Sequence, residues 1–331
     1  MVKTVQRRNV LQTIGSLFAA NALMSTTPTA LAQSWPSKPI KIVVTFPPGG
    51  ASDIVARVVG EQLSKVLGQA IVVENRPGAG GSIGGSAVKD APADGYTLLL
   101  ANSTPLSIGP FALEKQPYDP LEAFTHVAMI GTAPCVVMAN PASGLRNLTD
   151  LEALAKKSGN TNFGSGGPAS IGHIYGELMK KALGINLVHV PYRGGAPMTT
   201  DLISGIIPVG IDVLTAYVPY FKSGQLIALA VTSPKRSPLI ADVPSVTELF
   251  GYRNLVLDNF FGISAPAKLP PEITSRINAA VNTVTLLPEI QKRMLDLGIQ
   301  IQTGSAQLFD NYVRVQVNQI APTVRTAGVK L

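Results

Sequence analysis

Cysteine is almost missing: the 331 residues hold one, Cys135. A disulfide within the chain is excluded, and so is a cysteine-rich metal cluster. Cys135 stands in the apolar run Ala133-Pro134-Cys135-Val136-Val137-Met138, which suits a buried structural thiol and not a nucleophile. Histidine is scarce too. His126, His173 and His189 share no metal-ligand spacing and no HExxH motif occurs, so no metal and no cofactor is expected. Charged residues make up only 14% of the chain, and no Lys/Arg cluster is interleaved with aromatics, which argues against nucleic acid as a partner. Beyond Gln33 no segment is long and apolar enough to cross a membrane.

Several motifs fail by one residue. Gly78 and Gly80 would open a dinucleotide fingerprint, but the third glycine is replaced by Ile83. Gly164-Ser165-Gly166 suggests a nucleophile elbow, which would need glycine where Phe163 stands. No P-loop occurs. The sequence offers no recognisable pair of nucleophile and base.

Hydrophobic residues make up 46% of the chain, enough for a large core and about two domains. Lys3, Arg7 and Arg8 begin the chain with positive charge, an apolar stretch runs from Val10 to Met24, and Ala30-Leu31-Ala32 fits a small-residue cleavage site. Residues 1–32 are therefore expected to be a signal peptide, with the mature chain starting at Gln33 in the periplasm. Gln6-Arg7-Arg8-Asn9-Val10-Leu11 resembles a twin-arginine signal; an ordinary secretory signal with two arginines is the alternative. Removing those three positive charges from the formal +7 leaves a mild +4.

The chain is organised around Ile40 to Val59. Ile40, Ile42, Val43, Val44 and Phe46 read as a buried strand, stopped by Pro47 and Pro48, which lack an N–H for the ladder. Gly49 and Gly50 allow a tight turn, and Ser52 or Asp53 is expected to cap a helix running to Leu67. Strand, glycine turn and helix N-terminus together make an anion site, because free N–H groups point outward with partial positive charge behind them.

The same device recurs. A strand at 161–164 leads through Ser165-Gly166-Gly167-Pro168-Ala169-Ser170 into a helix from Ile171 to Leu183. A strand at 187–190 leads through Pro191-Tyr192-Arg193-Gly194-Gly195-Ala196-Pro197 into a third helix start. Other strands are expected at 70–74, 96–101, 127–130, 136–139, 209–213, 226–231 and 256–263. Thr149-Asp150 is expected to cap a helix through Lys157. Asn102-Ser103-Thr104 ends one strand with short polar side chains, either loop polarity or part of a site. Asp212 ends an apolar strand, either to cap the next helix or to line a site. The alternation of strand and helix predicts a mainly parallel sheet with helices on both faces.

These residues reach a known family. The carrying segments include Trp35-Pro36-Ser37-Lys38-Pro39-Ile40, Phe46-Pro47-Pro48-Gly49-Gly50-Ala51-Ser52-Asp53 and Val73-Glu74-Asn75-Arg76-Pro77-Gly78-Ala79-Gly80-Gly81. Asp94-Gly95-Tyr96-Thr97-Leu98-Leu99, Val190-Pro191-Tyr192-Arg193-Gly194-Gly195-Ala196-Pro197, Leu229-Ala230-Val231-Thr232 and Asp242-Val243-Pro244-Ser245-Val246 complete the set. Jointly and in order, they make the chain resemble the Bug, or TctC-like, receptors of tripartite tricarboxylate transporters.

The resemblance implies an α/β type II periplasmic binding-protein fold, with two lobes, two chain crossings and a central ligand cleft. Lobe one would be 33–138 with 262–331, and lobe two 139–261. It implies a small organic acid ligand, membrane transporter subunits as partners, a monomer, and no enzyme activity. On one side of the cleft it places Phe46, Gly49, Gly50, Ala51, Ser52 and Asp53. Ser165, Gly166, Ser170 and Asp212 would face them, with Asn102, Ser103 and Thr104 nearby. His173 matches a position that the family commonly fills with histidine. Gly205-Ile206-Ile207-Pro208-Val209, Pro168 and Gly172 depart from the family pattern and bear on which ligand is held. Two other functions stay in view: an exported hydrolase or isomerase on this scaffold, and a sensory partner that binds a carboxylate and docks to a membrane protein.

Overall fold

In the computed structural model, which describes residues 35–250, 256–326 and 329, Ile40–Val44 form the first strand, β1. The expected signal peptide lies outside the described residues. The described residues from Lys38 onward form one compact unit, which builds the α/β fold.

Helix α1 follows at Ala51–Leu67, turning Val55, Val58, Val59 and Leu63 inward. Its last turn ends on Gly68 at φ +70°, a left-handed cap that glycine adopts without a Cβ clash. Strand β2 (Ile71–Asn75) and helix α2 (Ser82–Lys89) come next, then β3 (Thr97–Asn102). The strands expected at 127–130 and 136–139 are a single strand, β4, Phe124–Ala139. Pro134 does not break it because the ladder changes partner there. Phe124 to Pro134 pair with β9 (Asp258–Pro266), whereas Cys135 to Ala139 pair with β7 (Val209–Val213). A residue without an N–H is tolerated at such a switch.

Between those strands lie α3 (Leu148–Ser158), β5 (Thr161–Ser165), α4 (Ile171–Leu183), β6 (Leu187–Pro191) and α5 (Gly195–Ile203). Strand β8 (Ile227–Val231) lies beside β4. The chain then returns through β9 to α6 (Pro271–Leu286), α7 (Pro288–Asp296), β10 (Gln300–Ile301) and α8 (Ala306–Thr326).

The ten-stranded sheet runs β2-β1-β3-β9-β4-β7-β5-β6, with β8 and β10 also on β4. The pairs β1–β2, β1–β3, β5–β6 and β5–β7 are parallel, as the strand–helix rhythm predicts. β4 and β9 run antiparallel to their neighbours, so the sheet is mixed. These two strands carry the chain from one half of the sheet to the other.

Each half has its own core. Val43, Leu99, Phe260 and Phe309 lead one apolar cluster; Met138, Met198, Leu202 and Tyr217 lead the other. This is an α/β periplasmic binding-protein fold of type II, and β4 with its antiparallel partner β9 connects the two halves.

Candidate ligand-binding cleft

The turn after β1 is held by one carboxylate. Asp53, 4% exposed, accepts from the Gly49 N–H at 3.0 Å and from Arg57 Nε at 3.0 Å through Oδ2. Its Oδ1 accepts from an Arg57 terminal nitrogen at 2.9 Å and from Asn75 Nδ2 at 3.0 Å. Asn75 Nδ2 also donates to the Phe46 carbonyl at 2.9 Å. Burial pushes the Asp53 carboxyl up, but the hydrogen bonds from Arg57, Gly49 and Asn75 outweigh it and hold the group below its ordinary range. Neither Ser52 nor Asp53 is the N-cap of α1. Gly50 takes that place, at φ −80°, and the positive φ of the turn belongs to Gly49 at +85°. Asp53 lies too far into the helix to cap it, so it reaches back to the N–H outside the helix.

Helix α4 starts differently. Ser170 is its N-cap, accepting from the His173 N–H at 3.3 Å, and its hydroxyl donates to Ser165 Oγ at 3.0 Å. Ser165 Oγ also lies 2.7 Å from His189 Nε2, and the His173 and His189 rings stack 3.6 Å apart. Burial lowers both imidazoles, His173 to about 4 and His189 to about 3, so both are neutral at neutral pH. Helix α5 starts at Gly194–Gly195, with the Gly194 N–H bonded to the Gly166 carbonyl at 3.1 Å. Helix α3 is capped by Asn147, two residues before the expected Thr149-Asp150; the Asn147 side chain accepts from the Asp150 N–H at 2.8 Å.

The beginnings of α1, α4 and α5 converge on one cavity of about 40 Å³. From the β1 side come Phe46, Gly50, Ala51 and Ser52. From β3 come Asn102 and Thr104; Asn102 Nδ2 donates to Ser52 Oγ at 3.2 Å, and Asn102 Oδ1 accepts from the Thr104 N–H at 2.9 Å. From the other half come Gly166, Ser170 and Asp212. Asp212 Oδ1 accepts from the Val213 N–H at 2.8 Å, and Oδ2 accepts from the Tyr217 hydroxyl at 2.9 Å. Burial raises the Asp212 carboxyl above its ordinary range.

The remaining expected site residues stand behind this wall. Gly49 and Asp53 shape the first turn, Ser165 and His173 support the second, and Ser103 Oγ accepts from the Phe260 N–H at 3.4 Å. The cavity also takes Pro47, Ile171, Gly194, Gly195, Val213 and Asn259. Gly194 and Gly195 were readable as a helix start, whereas Asn259, next to Asp258 at the beginning of β9, carried no such local signal. Sharing Phe46, Pro47, Gly166 and Gly194, a wider chamber of about 320 Å³ opens beside it, with Pro77–Gly81 and the exposed Arg193 in its wall.

The site is built to hold and not to turn over. First-turn N–H groups have no acceptor inside their own helix, so three helix starts offer donors to an anion. The serine–imidazole pair Ser165–His189 exists, but Ser165 is fully buried and absent from the cavity wall. No group of three or more His, Cys, Asp or Glu side chains suited to a metal occurs among the described residues.

The sequence model of the tripartite tricarboxylate transporter family receptor, TctC, matches residues 55–329. The chain belongs to this family. A UPF0065 protein of Bordetella bronchiseptica is 35% identical over 95% of this chain and 93% of its own length. Protein BugT of Bordetella pertussis is 34% identical over 91% of this chain and 92% of its own. Among solved structures, the R. palustris protein Rpa4515 with adipate has a TM-score of 0.85 at 30% identity, covering 89% of this chain and 99% of that one. MatC from Rhodopseudomonas palustris with bound malate has a TM-score of 0.82 at 25% identity, covering 88% of this chain and 100% of that one. TctC proteins are periplasmic solute receptors and not enzymes, and this chain is a receptor of that kind. No described helix is long and apolar enough to cross a membrane.

Proposed function

We propose that the protein is exported, holds one small organic carboxylate in the cavity between its two halves, and delivers it unaltered to a tripartite tricarboxylate-type membrane transporter. The observation that carries this is the convergence of three helix N-termini on a cavity whose wall, among the described residues, holds no lysine or arginine. Backbone donors at helix starts bind an anion through charge-assisted hydrogen bonds without the solvation cost of burying a cation. The adipate and malate held by the two solved relatives support a carboxylate.

The two halves, 33–138 with 262–331 and 139–261, act as lobes that close on the ligand, with β4 and β9 as the connections that bend. Gly50, Ala51, Ser52, Asn102 and Thr104 serve as one wall, and Gly166, Ser170 and Asp212 as the other. The tripartite membrane subunits are the partners, and the receptor acts as a monomer.

Thermal melting of the purified mature protein against mono-, di- and tricarboxylates, aromatic acids and amino acids tests this. At least one acid is expected to raise the melting temperature, because a ligand that binds only the folded state stabilises it by mass action. Ser170→Ala is expected to weaken that shift. A flat response to the whole panel, or an acid recovered chemically altered, contradicts the proposal.

A further inference from the structure

Among the described residues Asp212 is the single ionisable side chain in the wall of the small cavity, and its placement is costly for a receptor of anions. Each of its oxygens accepts one hydrogen bond, from the Val213 N–H and the Tyr217 hydroxyl. A carboxylate has about four acceptor positions, so each oxygen keeps unused capacity. The approach to Oδ2 is kept clear by glycine: a Cβ on Gly195 would lie 2.9 Å from it, and one on Gly166 3.7 Å. Among the described residues no cationic side chain offsets the burial that raises its pKa. A ligand carboxylate brought against Asp212 would meet like charge in a site largely closed to water. A ligand hydroxyl or ammonium would meet a ready acceptor.

Resting on the receptor reading above, we propose that Asp212 selects the ligand: the cavity takes a carboxylic acid that also carries a hydrogen-bond donor, a hydroxyl or an ammonium, close to its carboxylate. The carboxylate sits at the helix starts and the donor points at Asp212. An unsubstituted acid of the same length leaves Asp212 facing apolar carbon. A buried acceptor with no donor lowers affinity far more than a lost contact of the same area.

Calorimetric titration with matched series separates the outcomes: propionate, lactate and alanine; succinate, malate and aspartate; glutarate, 2-hydroxyglutarate and glutamate. In at least one series a substituted acid is expected to bind ten-fold or more tightly than the unsubstituted one. The hydroxy and amino arms tell whether the donor is neutral or charged. Asp212→Asn keeps an acceptor for Val213 and a partner for Tyr217 but turns a donor toward the ligand. It is expected to shrink the preference at least ten-fold while the protein melts at a similar temperature. Equal binding of the unsubstituted acid, or a preference unchanged in Asp212→Asn, overturns the inference and leaves the receptor reading standing. Binding of no acid in any series overturns both.

Discussion

At the scale of single residues, Asp53 supports the cleft without lining it. Four hydrogen bonds converge on its carboxylate, two of them from Arg57, whose side chain is 54% exposed. Water screens that ion pair, so the Gly49 and Asn75 bonds carry most of its worth. Asp53→Ala is expected to cost about 2 kcal/mol of stability by urea unfolding, since hydrogen bonds to a charged acceptor are worth roughly 1.5–3 kcal/mol. The variant should also bind its ligand more weakly, because Gly49 and Phe46 lose their anchor. The pH dependence follows from the lowered pKa. Asp53 contributes its full stability above the unfolded carboxyl pKa of about 3.9 and loses it as pH falls through its lower folded value. Unfolding measured between pH 5 and pH 2 should therefore be less acid-sensitive in Asp53→Ala than in the wild type. Residues of this sort were legible as part of the cleft motif, but not in their role. The sequence shows that Asp53 follows a glycine turn; which N–H its oxygens meet depends on where Asn75, on another strand, arrives.

At the scale of elements, α4 is fitted to the sheet through its glycines. A Cβ on Gly172 would lie 2.0 Å from the Ile211 carbonyl oxygen, and one on Gly176 would lie 2.2 Å from the Phe163 ring. The helix thus lies flat on β5 and β7, and Ser170 reaches the cleft. Gly172→Ala is expected to destabilise by about 1–3 kcal/mol through overpacking. In a chain of this size that lowers the melting temperature by several degrees, readable by calorimetry. A variant that melts with the wild type would show that the helix can shift at no cost.

Helices and strands of this kind were readable because apolar spacing and glycine stops act locally. α4 at Ile171–Leu183 and β7 at Val209–Val213 match the sequence expectation residue for residue. β4 was not readable as one strand, because Pro134 and Gly131 look like a break when the partner strand is unseen. Asn259 was missed for the same reason: its strand brings it to the cavity only through pairing with β4, far away in the chain.

At the scale of the whole molecule, the two halves touch across the cleft at Pro47 and Gly194. A Cβ on Gly194 would come 3.0 Å from Pro47 Cγ, and Gly194 has φ +103°. Gly194→Val would wedge the lobes apart and strain the turn that starts α5. It is expected to lower ligand affinity ten-fold or more, and X-ray scattering should show less compaction on ligand addition than in the wild type. The sequence marked Gly194 as a turn residue, but its contact with Pro47 exists only once both halves are folded.

The central claim, that the cleft holds one small carboxylate without changing it, is tested most directly by native mass spectrometry of the protein purified from the periplasm and then exposed to a carboxylate panel. One small acid per chain is expected, released unaltered on denaturation and missing from Gly50→Val, whose branched side chain would crowd a helix start that lines the cavity. A chain that carries no acid after exposure, or an acid retained equally by Gly50→Val, would contradict it.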